Sequence, residues 1–188
     1  MKKIMFNDRF GLTQAVLDGR KTQTRRVVPQ SVIDKYAMME DPTLIDDARY
    51  DVGEVVAVAQ SYRDCGGFCK NGIPRWNEIA ISVGAVSAGW DNKMFVRADL
   101  MPHHIRITDV RVEHLQDTSD EDCLKEGLEW DGVASQYYVN YQKETGRKMF
   151  LGKTLREAFA CLIDKVSGKG TWERNPYVFV YDFELVKP

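Results

Sequence analysis

The chain has no long apolar run: nothing in its 188 residues approaches the roughly 20 consecutive apolar side chains that a membrane-spanning helix requires. Its N-terminus also lacks the apolar stretch of a secretion signal. A soluble, cytoplasmic protein is the expectation. Neither charge dominates, because 26 Lys and Arg stand against 28 Asp and Glu, for a formal net charge of −2. No global field therefore draws in nucleic acid, and any basic surface must be local. Cysteine and histidine are scarce. Cys65 and Cys69 flank a spacing compatible with half a zinc site, and His103, His104 and His114 could supply the rest. Yet there is no second C-x-x-C and no H-x-x-x-H pair, and His103 and His104, if extended, point to opposite faces. With Cys123 and Cys161 these cysteines read as free thiols, and neither a metal nor a cofactor is expected. Ser167-Gly168-Lys169-Gly170 lacks the spacing of a phosphate-binding loop, and no repeat or low-complexity tract divides the chain. One domain over residues 1–188 is the default for this length.

What the chain does contain is a concentrated stretch, Gly19-Arg20-Lys21-Thr22-Gln23-Thr24-Arg25-Arg26, with four cations, two hydroxyls and one amide. Before it, Asn7 or Asp8 can cap a helix, and Phe10, Thr13 and Leu17 recur at helical spacing beside Leu12 and Val16. The spacing predicts a helix over about 9–18, ended by Gly19 in the left-handed position. Thr24 then falls on a short strand with Lys21 in the turn before it, three residues away. A plain charge run is usually a solvated surface turn. The threonines and the glycine stop are unlike one.

The motif, with Ile4-Met5-Phe6-Asn7 ahead of it, resembles the ASCH domain of the PUA-like superfamily, in the form common in phage and bacterial genomes. Tyr50-Asp51-Val52-Gly53-Glu54 is similar to the family's "Y-x-V-G-D/E" pattern before a strand. Leu100 to Asp117 is similar to its central strand, and Asn175 to Phe183 to its closing strand. The resemblance implies an α+β fold: a small, mixed, mostly antiparallel PUA-like β-barrel decorated by three to four helices. It places the motif in a cleft between barrel and first helix.

The remaining chain reads consistently with that fold. Residues 29–52 form a long connection with a helical turn near Ser31 to Tyr36, and Val55 to Ala59 is apolar on both faces, as in a buried strand. Residues 63–93 read as an insertion with a hairpin near Glu78 to Val83, where Trp76 and Trp90 pin a loop to the core. Ile105 to Ile107 and Val110 to Val112 alternate in opposite phase, which predicts a bend at Thr108-Asp109. Thr118-Ser119-Asp120-Glu121 opens a short helix that stops before Gly127, with Glu126 in its last turn. There a carboxylate meets the negative end of the helix dipole and is suited to donating a proton. Tyr137, Tyr138 and Tyr141 have helical spacing and read as a packing stripe. Thr154-Leu155-Arg156-Glu157 is a second capping box, opening an amphipathic helix to about Val166, and Tyr177 to Val186 is a final strand.

One bacterial branch of the ASCH group hydrolyses the acyl amide of N4-acetylcytidine with a lysine, a threonine and a glutamate. The resemblance carries these roles to Lys21 as base, Thr24 as nucleophile and Glu126 as proton donor. It also implies that Arg20, Thr22, Arg25, Arg26 and Gln60 bind the nucleoside or RNA, although many relatives carry a glutamate close to the position of Gln60. The competing expectation is a non-catalytic RNA-binding module, for which the same arginines would suit phosphates and base edges. A ribonuclease would share the basic cleft, but no metal-binding carboxylate cluster is visible to support it.

Overall fold

The computed structural model describes residues 1–37, 44–65, 88–141 and 146–186, together with the backbone of 68–69 and 73–74. In chain order its elements are β1 (Lys3–Ile4), α1 (Leu12–Leu17), β2 (Gln23–Val27), α2 (Gln30–Tyr36), β3 (Val55–Val58), β4 (Phe68–Cys69) and β5 (Ile73–Pro74). There follow β6 (His104–His114), α3 (Asp120–Lys125), β7 (Glu129–Asp131), β8 (Gln136–Tyr141), β9 (Arg147–Gly152), α4 (Leu155–Ser167), α5 (Thr171–Arg174) and β10 (Tyr177–Val186). The fold is mixed α+β. Among the described residues the sheets are five-, three- and two-stranded in open order, and the α-helices number five where three to four were expected. None of these helices is long and apolar enough to cross a membrane.

The residues fall into two compact units. The first comprises Met1–Phe6, Val55–Arg106 and Leu185–Pro188. Here β1 pairs in parallel with β3, Lys3 opposite Ala57, and β3 pairs antiparallel with the start of β6, Val55 opposite Arg106. Val56 to Ala59 are wholly enclosed, as an apolar run on both faces requires. Ala57, Ala59, Tyr62, Val96 and Met101 form an apolar cluster on which Trp90 packs. The hairpin read at Glu78 to Val83, and Trp76, lie outside the described residues. What the structure describes of that stretch includes a two-residue ladder between β4 and β5.

The second unit comprises Asn7–Glu54 and Ile107–Glu184. Within it β10 lies between β6 and β2, and pairs antiparallel with β2 so that Tyr181 faces Thr24 and Asp182 faces Gln23. Burial along β6 alternates at Ile105 and Ile107, then slips over the exposed pair Thr108-Asp109 to Val110, the phase change read from the sequence. Helix α4 carries its full capping box, with Thr154 and Glu157 reciprocally bonded, and buries Ala158, Phe159, Leu162 and Ile163. Phe159, Leu162 and Ile163 each contribute about 1.5–3 kcal/mol of burial.

Two expectations are corrected here. The predicted helix over 9–18 is broken: a 3-10 turn at Asp8–Phe10 is followed by Gly11 at φ 65°, and only then by α1. Position 11 is restricted to glycine by its left-handed φ and by a close approach, because a Cβ there would lie 2.5 Å from the carbonyl oxygen of Asn140. The tyrosines at helical spacing lie on strand β8, in the antiparallel meander β7-β8-β9. Cross-strand aromatic contacts favour that pairing, with the Trp130 and Tyr137 ring centroids 4.8 Å apart.

Candidate functional site

The site is built on the turn between α1 and β2, in the second unit. Gly19 takes φ 72° after the helix, and the N–H groups of Arg20 and Lys21 both return to the carbonyl of Ala15 at 2.8 and 2.9 Å. This folds Lys21 inward. Thr22 then links two elements through its backbone: its N–H donates to Lys125 of α3 (2.9 Å), and its carbonyl accepts from Phe183 of β10 (2.8 Å). From Gln23 to Val27 the strand is held by its antiparallel ladder with β10.

Lys21 is 2% exposed, an unusual position for an ammonium group. Its Nζ donates to the carbonyls of Gln23 (2.8 Å) and Glu126 (3.0 Å) and to Glu126 Oε2. That gives three acceptors for the three N–H bonds of an ammonium. Burial pulls the Lys21 pKa below its ordinary value, and the charge and hydrogen bond of Glu126 offset part of that effect. Glu126 caps the C-terminus of α3, whose N-cap Ser119 accepts from Asp122 N–H. Gly127 follows at φ 98°, where a Cβ would meet Lys21 Cβ at 3.4 Å. The chain can therefore turn tightly over the lysine only with glycine there.

Arg25 has no exposed side-chain surface. Its Nε and Nη2 donate to Glu113 Oε1 at 3.0 and 2.8 Å, Nη2 also to Asp122 Oδ2 at 3.2 Å, and Nη1 to Glu126 Oε1 at 3.1 Å and to Gln23 Oε1. Burial works against its charge, but Glu126 and Glu113 outweigh burial and raise the Arg25 pKa. The Phe159 ring lies 5.6 Å beneath the guanidinium. A further layer closes the network. Gln23 Nε2 donates to Asp122 Oδ1 (3.0 Å) and Asp182 Oδ1 (2.7 Å), while Arg111 reaches Asp122 Oδ2 (3.0 Å), Glu113 Oε2 (3.3 Å) and Asp182 Oδ2. Lys21, Arg25 and Arg111 thus stand against Glu113, Asp122, Glu126 and Asp182.

Of the expected catalytic trio, the structure brings Lys21 and Glu126 into direct contact. Thr24 is 2% exposed on β2, next to the Gln23 carbonyl that Lys21 holds, and its hydroxyl makes no hydrogen bond among the described residues. Arg20 is half-buried, paired with Glu129 (2.6 Å) and Asp18 (2.8 Å). Arg26 is half-buried, and burial lowers its pKa against the opposing influence of Glu126, Tyr50 and Tyr181. Gln60 belongs to the first unit. It is 5% exposed, its N–H meets the Met101 sulfur at 3.4 Å, and its Oε1 is enclosed with no hydrogen-bond partner among the described residues. Among the described residues no group of His, Cys, Asp or Glu has the arrangement of a metal site.

Sequence reasoning missed Gln23, Arg111, Glu113, Asp122 and Asp182. A signal was present. Charges at Arg111 and Glu113 share one face of a strand by alternation, and the apolar start of β10 gives way to Asp182.

No family model and no curated protein matches the sequence. Among solved structures the chain is similar to protein EF3133 from Enterococcus faecalis V583, of the family DUF984, at 14% identity and a TM-score of 0.41. The match covers 93% of this chain and 66% of that one, so this chain spans about two thirds of its length. Likeness at that level bears on neither substrate nor site.

Proposed function

We propose that the second unit houses an amide hydrolase acting on an N4-acylated cytidine, with Lys21 and Glu126 as its acid–base pair and Thr24 as nucleophile. The observation that carries this reading is the enclosed Lys21–Glu126 contact. A lysine meant for phosphate would be solvated and free to swing, whereas this one is buried against a single carboxylate. In the same reading the chain is an ASCH-type protein with a PUA-like barrel, on the strength of Gly19-Arg20-Lys21-Thr22-Gln23-Thr24-Arg25.

The resting pair is an ammonium and a carboxylate, one proton away from the reactive form. Transfer of that proton from Nζ to Oε2 yields a neutral amine and a carboxylic acid without changing the net charge of the site. Burial favours the neutral amine. The amine removes the Thr24 hydroxyl proton as Oγ1 attacks the acyl carbonyl. The C–N bond then breaks, and Glu126 gives its proton to the departing exocyclic nitrogen, releasing cytidine. The original ion pair is restored at the acyl-threonine stage. A second proton shift lets the amine activate water, and Glu126 protonates Oγ1 as the carboxylic acid leaves. In this reading the Thr24 hydroxyl meets the amine only once substrate is bound, a hydrogen bond of the reacting complex rather than of the resting site.

The non-catalytic RNA-binding reading is less well supported, because Arg20 and Arg25 are held by protein carboxylates. The test is turnover of N4-acetylcytidine by the purified chain, followed by liquid chromatography, with Lys21→Ala and Thr24→Ala alongside. Release of cytidine by the wild type, reduced at least a hundredfold in both variants, is the expected outcome. An inactive wild type that binds RNA with a salt dependence weakened by Arg26→Ala would favour the binding module instead.

A further inference from the structure

Each N–H of Arg25 ends on a protein acceptor, drawn from Gln23, Glu113, Asp122 and Glu126. No donor is left for a phosphate or a base edge. A ligand could capture Arg25 only by stripping an enclosed carboxylate of its counter-charge. We propose that Arg25 is instead the positioning residue of the acid–base pair: it holds Glu126 by Oε1, so that Oε2 is presented to Lys21 Nζ.

The geometry supports this assignment on both sides of the carboxylate. Nη1 bonds Oε1 at 3.1 Å while Lys21 bonds Oε2, so the two oxygens are held from different directions and the plane of the group cannot turn. With the Lys21 bond alone, rotation about the last side-chain torsion would remain open. Arg25 is itself held by β6 through Glu113 (2.8 Å), by α3 through Asp122 (3.2 Å) and by its own strand through Gln23. Arg111 braces Glu113 and Asp122 in turn, at 3.3 and 3.0 Å. A site held to about 0.5 Å needs such support around the groups that react.

The kinetic arm of the test rests on the hydrolase reading; a substrate-free arm does not. Wild type, Arg25→Gln and Arg25→Lys are compared in the full chain. Asp164→Asn serves as a destabilised control, because Asp164 accepts the N–H groups of Gly170 (3.0 Å) and Trp172 (2.9 Å) away from this network. Nitrogen-15 NMR of the lysine ammonium groups should show an exchange-protected signal from Lys21 in the wild type, assigned by its loss in Lys21→Ala. That signal is expected to vanish or move in Arg25→Gln, to persist in Asp164→Asn, and to be partly kept in Arg25→Lys. With N4-acetylcytidine, Arg25→Gln should lower kcat about a hundredfold with KM changed less than about threefold. Arg25→Lys should recover about a tenth of wild-type kcat, since a point charge replaces a fork. A Lys21 signal unchanged in Arg25→Gln overturns the proposal, as does a rise in KM at constant kcat, the mark of a ligand contact. If the wild type turns nothing over, the hydrolase reading falls and the NMR result still decides the role of Arg25.

Discussion

In the second unit Arg25 has no exposed side-chain surface and an acceptor for each N–H, whereas in the first unit Gln60, 5% exposed, keeps an enclosed amide oxygen without a partner among the described residues. Both are polar groups taken out of water. An unpaired ion would cost far more there than an unpaired amide, so only the ion demands a fully matched shell. The contrast shows where this fold tolerates imperfection. Enclosed charge is matched oxygen by oxygen on Glu113, Asp122 and Glu126, while a neutral mismatch of about 1–3 kcal/mol is left standing elsewhere.

The largest break in that comparison should come from Glu126→Gln. It removes a carboxylate that faces both Lys21 and Arg25, leaving two enclosed cations under-compensated. A loss of about 3–5 kcal/mol in urea unfolding is expected. A loss below about 1 kcal/mol would show that the pair is not needed to hold the cations.

Next in size is Asp122→Asn, expected to cost about 1.5–3 kcal/mol at pH 7 through its charged hydrogen bonds. Burial alone would raise the Asp122 pKa, but the Gln23 hydrogen bond and the charges of Arg25, Arg111 and Lys125 outweigh it, and the value falls below the usual 3.8. A carboxylate depressed in the folded state contributes stability that is present above 3.8 and lost as pH falls through the folded value. Unfolding measured from pH 6 downward should therefore be less steep on the acid side in Asp122→Asn than in wild type.

Gly127→Ala sharpens the same point through the backbone. With φ at 98° and Lys21 Cβ 3.4 Å from the new methyl, about 1–2 kcal/mol of destabilisation is expected. Thermal unfolding checks it, and an unchanged Tm would mean that the turn over Lys21 relaxes freely.

The smallest effect should have the opposite sign. Gln60→Met replaces the amide, whose Oε1 has no partner among the described residues, by an apolar side chain of similar length and should stabilise the protein by about 1 kcal/mol, a Tm rise of roughly 2–4 °C. A fall in Tm would mean that the amide is satisfied in solution.

The sequence by itself determined the local units of this protein. The helix stop at Gly19, the strand through Thr24, the capping box of α4 and the limits of β10 each follow from a few neighbouring residues, because caps, left-handed glycines and alternation act over one or two turns of chain. It also singled out Lys21 and Glu126, separated by 105 positions, through a resemblance rather than through spacing. What only the tertiary structure decided is who pairs with whom. Position 11 admits only glycine because Asn140 comes close, and the β8 tyrosines lie on a strand because β7 and β9 pair with it. Arg25, legible as one more cation in a basic run, becomes an internal brace once Glu113, Asp122 and Glu126 are brought around it from β6 and α3. The physical reason is range. Propensity is written in adjacent residues, whereas the compensation of a buried charge depends on groups about a hundred positions away that meet only when the chain has folded.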